Sequence, residues 1–114
     1  MIAVIFEVQI QDGKKQNYLD VAAELKPLLY QIDGFISIER FSSLQNPEKV
    51  LSLSFWRDEQ AIEAWRNLEQ HRIGQAKGRN HIFLDYRIRV GHILRDYGLN
   101  SREQAPKDSN QIHK

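Results

Sequence analysis

The chain has 114 residues, with sixteen basic and fifteen acidic side chains and a formal net charge of +1. That suits one domain and supplies no field for drawing in nucleic acid or an anionic membrane. Hydrophobic residues make up 41% and charged residues 27%, and cysteine is absent, so the chain reads as an ordinary globular domain without disulfides, thiolate metal sites or a cysteine nucleophile.

The first ten residues put Ile2, Val4, Phe6, Val8 and Ile10 on one parity, the two-residue period of a strand. The start has no basic leader before its apolar run, so it is not expected to be a signal peptide. No stretch nears the ~18 apolar residues of a membrane helix, and the expected location is the cytoplasm. "DGKK" marks a turn. From Asn17 the spacing of Tyr18, Val21, Ala22, Leu25, Leu28, Leu29 and Ile32 becomes helical. Pro27 predicts a kink or break near Lys26, and Gly34 is suited to a left-handed helix cap.

"FISIERFSS" alternates again as a second strand, and "VLSLSFW" is a third, joined to it by the polar loop "LQNPEK". Asp58 is a candidate N-cap for a helix whose apolar stripe is Ala61, Ile62, Trp65 and Leu68. Gly74 and Gly78 weaken the helical pattern further on. "IFLDYRIRVGHIL" is a long final strand. The expected domain is 1–97, followed by a polar, non-periodic tail over 98–114 that is expected to be disordered.

The order β-α-β-β-α-β is the split βαβ, or ferredoxin-like, arrangement: an α+β fold with an antiparallel sheet and both helices on one face. The other face still carries apolar groups, the odd residues of the first strand with either Phe35 and Phe41 or Ile36 and Ile38. A second copy of the sheet would cover them, so a homodimer through the sheet face is expected.

"DGFISIERFSS", "VLSLSFWRDEQAIEAWRN" and "GRNHIFLDYRIRV" together resemble the antibiotic biosynthesis monooxygenase domain, from about residue 2 to about residue 90. The most specific piece is the strand-end "FW" followed by "DEQAIEAW". The resemblance implies a dimeric α/β barrel with a pocket between sheet and helices in each subunit. It also implies an oxygenase that uses neither metal nor flavin and acts on a small aromatic, polyketide-like or quinol substrate.

A second branch of that family binds haem and degrades it, using a first-strand asparagine, a second-helix tryptophan and a histidine further along. Here Trp65 matches the tryptophan, while Glu7 and Gln75 stand near the asparagine and histidine positions. Haem is therefore the alternative cofactor, and none the leading expectation. A non-catalytic dimeric small-molecule-binding protein is the alternative of a different class.

Trp65 is the principal site candidate, either as a core anchor or as a pocket wall that stacks on a substrate ring. A cofactor-free oxygenase needs a base as well. Glu7, mid-strand among apolar residues, and His71 are the candidates. Glu7 would otherwise pair with a neighbouring cation such as Arg40 or Arg87. Gln75, Arg79 and Tyr86 are candidate substrate-binding residues, with structural roles as the plainer alternative for Arg79 and Tyr86. His81, His92 and His113 have no partner spacing that suggests a metal, and no metal is expected. Dinucleotide, phosphate-loop and serine-nucleophile motifs are absent.

Overall fold

The computed structural model describes residues 1–68 and 82–112. Its first strand, β1 (Ile2–Ile10), turns the alternating apolar residues toward the core, where Ile2, Phe6, Val8 and Ile10 are all buried. A turn through Gly13, at φ 78°, leads into helix α1 (Lys15–Leu29). This helix buries Tyr18, Ala22, Leu25 and Leu29 at the spacing that brings them onto one side. The expected break at Lys26 does not occur, because the helix runs through Pro27 to Leu29. Pro27 and Ala23, whose carbonyl loses its helical partner to the proline, are both exposed, so water can serve that carbonyl.

Gly34 has the expected positive φ, 95°, but it does not cap α1, which ends at Leu29 with Tyr30 in the cap position. It instead begins the entry to β2 (Phe35–Ser42). A Cβ at Gly34 would lie 2.9 Å from the Cβ of Ala61, so both backbone geometry and close approach require glycine.

Strand β3 (Lys49–Trp56) pairs antiparallel with both β2 and β1, and β4 (Phe83–His92) pairs antiparallel with the other side of β1. The resulting order is β2-β3-β1-β4. Between β3 and β4 lies helix α2, described over residues 59–68. Both helices pack on one face, where Leu25 and Leu29 of α1 and Ala61, Ile62 and Trp65 of α2 enclose Ile2 and Trp56. This is the expected ferredoxin-like α+β arrangement.

A bulge in β2 corrects the expectation for its faces. Phe35 pairs with Trp56, yet Ser37 pairs with Phe55, so an extra residue shifts the alternation. Phe35 and Ile38 therefore pack against the helix-side core, whereas Ile36 and Phe41 are 51% and 44% exposed. Neither Phe35 with Phe41 nor Ile36 with Ile38 shares a face.

The tail holds local order where disorder was expected. A short helix, α3 (Lys107–Ile112), is tied back by Arg102. The Arg102 guanidinium donates to the Gly98 carbonyl at 3.1 Å, the Ser109 hydroxyl at 3.0 Å and the Asn110 side chain at 3.2 Å. It also sits 5.2 Å from the Tyr97 ring centre, so one planar fork of donors gathers the segment. Among the described residues, no helix is long and apolar enough to cross a membrane.

Candidate functional site

The start of α2 is fixed by one arginine. Arg57 donates to both carboxylate oxygens of Asp33 at 3.1 Å and to Asp58 at 3.0 Å, and its backbone N–H donates to the Gly34 carbonyl at 2.7 Å. Asp58 is the N-cap the sequence predicts, accepting from the Ala61 N–H at 3.0 Å. The Arg57 bond holds the Asp33 carboxyl below its ordinary range, and the Ala61 N–H, then Arg57, does the same for Asp58. Both carboxylates are at the surface, so their part is to aim the helix.

So aimed, α2 delivers Trp65 into the space over the sheet. Its ring stacks on Trp56, with centroids 6.4 Å apart and planes 29° from parallel. Trp56 is fully buried and donates its indole N–H to the Ser54 hydroxyl at 2.8 Å. That hydroxyl lies 3.5 Å from the Val4 carbonyl, so a polar thread runs beneath the aromatic pair.

Trp65 walls a cavity of about 60 Å³ between α2 and the sheet. Phe6, Ser52, Ser54, Ile62 and Ile88 face the same space, and Arg66 stands at its edge. Ile62, Arg66 and Val90 also line an adjoining cleft of about 250 Å³ with Glu59 and Glu63, so the two spaces share a wall and open beside β4. Ser52, Ser54, Arg66 and Ile88 were not singled out from the sequence. The parity of "VLSLSFW" carries the signal for the serines, since Trp56 at its end fixes which parity faces the core.

Of the predicted site residues, Trp65, Glu7 and Tyr86 are described, and these three do not line one cavity. Glu7 stands on the open face of the sheet, opposite in parity to Phe6 and Val8. Its carboxylate accepts from Arg89 at 3.2 Å and lies 3.9 Å from Lys49. The ion-pair alternative therefore holds, with Arg89 and Lys49 as partners rather than Arg40 or Arg87. A base for chemistry beside Trp65 cannot be Glu7, because the sheet lies between them.

Tyr86 shares the helix-side face of β4 and meets the Phe6 ring edge-on at 5.7 Å, but it is 54% exposed and does not line the cavity. His71, Gln75, Arg79 and His81 lie outside the described residues. His92 ends β4 opposite Ile2. Among the described residues, no group of three or more His, Cys, Asp or Glu side chains could hold a metal ion.

Two larger depressions lie on the open face, of about 310 Å³ beside Glu7, Lys49 and Arg87 and about 400 Å³ beside Met1, Ile36 and Phe55. The first has its carboxylate already matched by cations, and both are shallow surfaces that a covering layer would close. The Trp65 cavity is the better site, because an aromatic wall, a buried hydroxyl and a cation converge there. Among the described residues the cavity is lined by no imidazole, and His71, the histidine nearest to Trp65 in sequence, lies outside them.

The sequence profile of a family described as antibiotic biosynthesis monooxygenase matches residues 1–77. A protein of Pyricularia oryzae called jasmonate monooxygenase ABM is 46% identical over 93 residues, covering 82% of this chain and 43% of that one. The chain spans still less, 18%, of two Streptomyces relatives. A solved structure described as a putative antibiotic biosynthesis monooxygenase from Nitrosomonas europaea superposes with a TM-score of 0.71 at 8% identity, over 82% of this chain and 99% of that one. At that identity the likeness speaks for the fold.

Proposed function

The chain belongs to the antibiotic biosynthesis monooxygenase family, and we propose that it is a monooxygenase of a small, apolar, oxygen-bearing molecule bound against Trp65. The observation that carries this is the cavity walled by Trp65 over the helix-covered face, in a domain 46% identical to a monooxygenase over 93 residues. The substrate class we favour has a C–H made acidic by a neighbouring carbonyl or phenol, as in polyketides, quinols and cyclic ketones.

Such a substrate needs no metal, flavin or haem. A base removes the activated proton, and the electron-rich carbanion reacts with dioxygen in a dry site. For a CH₂ flanked by carbonyl or aryl groups, one oxygen atom becomes the new C=O and the other leaves with both hydrogens as water. The substrate supplies all four electrons, so no reductant is required. Trp65 supports this step by stacking on the ring and keeping water out, and the Ser52 hydroxyl is placed to donate to an oxygen that gains charge. We assign the base to His71 on the chemistry of imidazole.

The working unit proposed is a homodimer through the open sheet face, in the cytoplasm. Support comes from β3, which gives that face Leu51, Leu53 and Phe55 while its own inner parity carries two serines. A mass near twice 13.4 kDa in sedimentation is expected.

The test is incubation of the purified protein with an anthrone under ¹⁸O₂ and a chelator. One labelled atom in the anthraquinone, at a rate lost in His71→Ala, is expected. Label only in water, or a rate no greater than without protein, would overturn the reading. A hemin titration is expected to leave the Soret band of free hemin unchanged.

A further inference from the structure

Trp65 is the inner end of a line of rings that runs from the cavity to the surface. It stacks on Trp56 at 6.4 Å. Trp56 in turn meets Phe35 edge-on at 5.2 Å, and Phe35 meets Tyr30 edge-on at 5.3 Å. Trp65 and Trp56 are buried, whereas Tyr30, in the cap position of α1, is 63% exposed. Contacts of this kind are ordinary aromatic packing, but packing does not explain the order of residue types. Two indoles stand at the inner end and a phenol at the wet end. Among the described residues that line the cavity, Trp65 carries the one readily oxidised side chain.

The hydrogen bonding of Trp56 suits a carrier of electrons. Its indole N–H donates to the Ser54 hydroxyl at 2.8 Å, and that hydroxyl lies 3.5 Å from the Val4 carbonyl. Neither oxygen is a base, so an oxidised Trp56 keeps its proton and stays a strong oxidant. Tyr30 differs because water reaches it. On losing an electron it releases its phenol proton to water, and the vacancy comes to rest there.

We propose that Trp65, Trp56 and Tyr30 form an electron conduit that protects the cavity from oxygen radicals, with Phe35 as the packed medium between the last two. The oxidant is a peroxyl radical, formed when dioxygen adds to substrate that has lost one electron and a proton. It takes one electron from Trp65 and a proton from water and becomes a hydroperoxide. Trp56 refills Trp65, Tyr30 refills Trp56, and the Tyr30 proton goes to water. The net change is one hydrogen atom moved from Tyr30 to the peroxyl radical. A soluble thiol then restores the phenol by giving up its own hydrogen atom, and two thiyl radicals couple to a disulfide. The oxidant rests on the reading of this cavity as the oxygenation site, whereas the conduit can be tested without turnover.

Pulse radiolysis of the full chain with the azide radical, which oxidises indoles in preference to phenols, is that test. The tryptophanyl absorption is expected to decay with first-order kinetics, independent of protein concentration, while a tyrosyl absorption rises to match. Tyr30→Phe keeps a ring against Phe35, so it is expected to fold as the parent does, lose the rise and leave the tryptophanyl radical to persist. Tyr86→Phe, which alters an exposed tyrosine whose ring meets Phe6 and Phe83, should keep the rise. A rise that survives Tyr30→Phe, scales with protein concentration or fails to mirror the tryptophanyl decay would overturn the conduit. During anthrone turnover in air, Tyr30→Phe should begin at the parent's rate but collect oxidised Trp65 sooner, as read by peptide mass mapping. Equal damage in the two would overturn the protective role. Radical transfer without oxygen uptake would uphold the conduit and overturn the oxygenase reading, and uptake without transfer would do the reverse.

Discussion

The two faces of one sheet are built from the same four strands and serve opposite ends. On the helix-covered face, Val8, Ile10, Leu29 and Trp56 are almost wholly removed from water, and two serines lie among them. On the open face, β3 presents Leu51, Leu53 and Phe55, and β1 presents Ile5 beside the Glu7 pairs with Arg89 and Lys49. The inner face is thus more polar along β3 than the outer one, the reverse of what simple burial would choose. A buried hydroxyl is retained where it has a partner to satisfy, as Ser54 has in the Trp56 indole N–H. An apolar outer row without a cover calls for another surface.

Replacement of Trp56 should separate the faces most clearly. Trp56→Ala removes the largest fully buried side chain and is expected to cost about 3–5 kcal/mol in urea unfolding. Gly34→Ala comes next, at about 2 kcal/mol, because it forces a side chain into the left-handed region against Ala61. On the open face, Leu53→Ser should cost the single fold no more than about 1 kcal/mol while halving the mass seen in sedimentation. A large loss of fold stability without a change in mass would place Leu53 in the core instead.

The smallest effect is expected at the helix start. Asp33 and Asp58 both have carboxyls held below their ordinary pKa. Their contribution is complete above the unfolded value of about 3.9 and is lost as pH falls through the lowered folded values. Arg57→Gln should therefore flatten the acid limb of stability below about pH 4. The flattening is partial for Asp58, whose first stabilising contact is the Ala61 N–H.

Much of this was legible in the chain. The parity of Ile2 to Ile10, the stripe from Ala61 through Trp65 to Leu68 and the Asp58 cap were each carried by local spacing, and local spacing is what strands, helices and caps obey. The same parity also placed Glu7 away from the core, so its separation from Trp65 could have been read by combining two patterns. What could not be read depends on partners distant in sequence. The β2 bulge is set by pairing with β3, the tolerance of Pro27 by exposure of Ala23, and the fate of Gly34 by the approach of Ala61. Ser52 and Arg66 gain meaning only once α2 lies over β3.

The central claim is that chemistry belongs to the helix-covered face and not to the Glu7 face. Oxygen uptake with an anthrone, measured side by side for Trp65→Ala and Glu7→Gln after both are shown to be folded, tests it most directly. The account predicts a loss of about tenfold or more for Trp65→Ala, from mispositioned substrate, and a rate within about twofold of the parent for Glu7→Gln. A collapse of uptake in Glu7→Gln with Trp65→Ala unimpaired would contradict it and move the active site to the other side of the sheet.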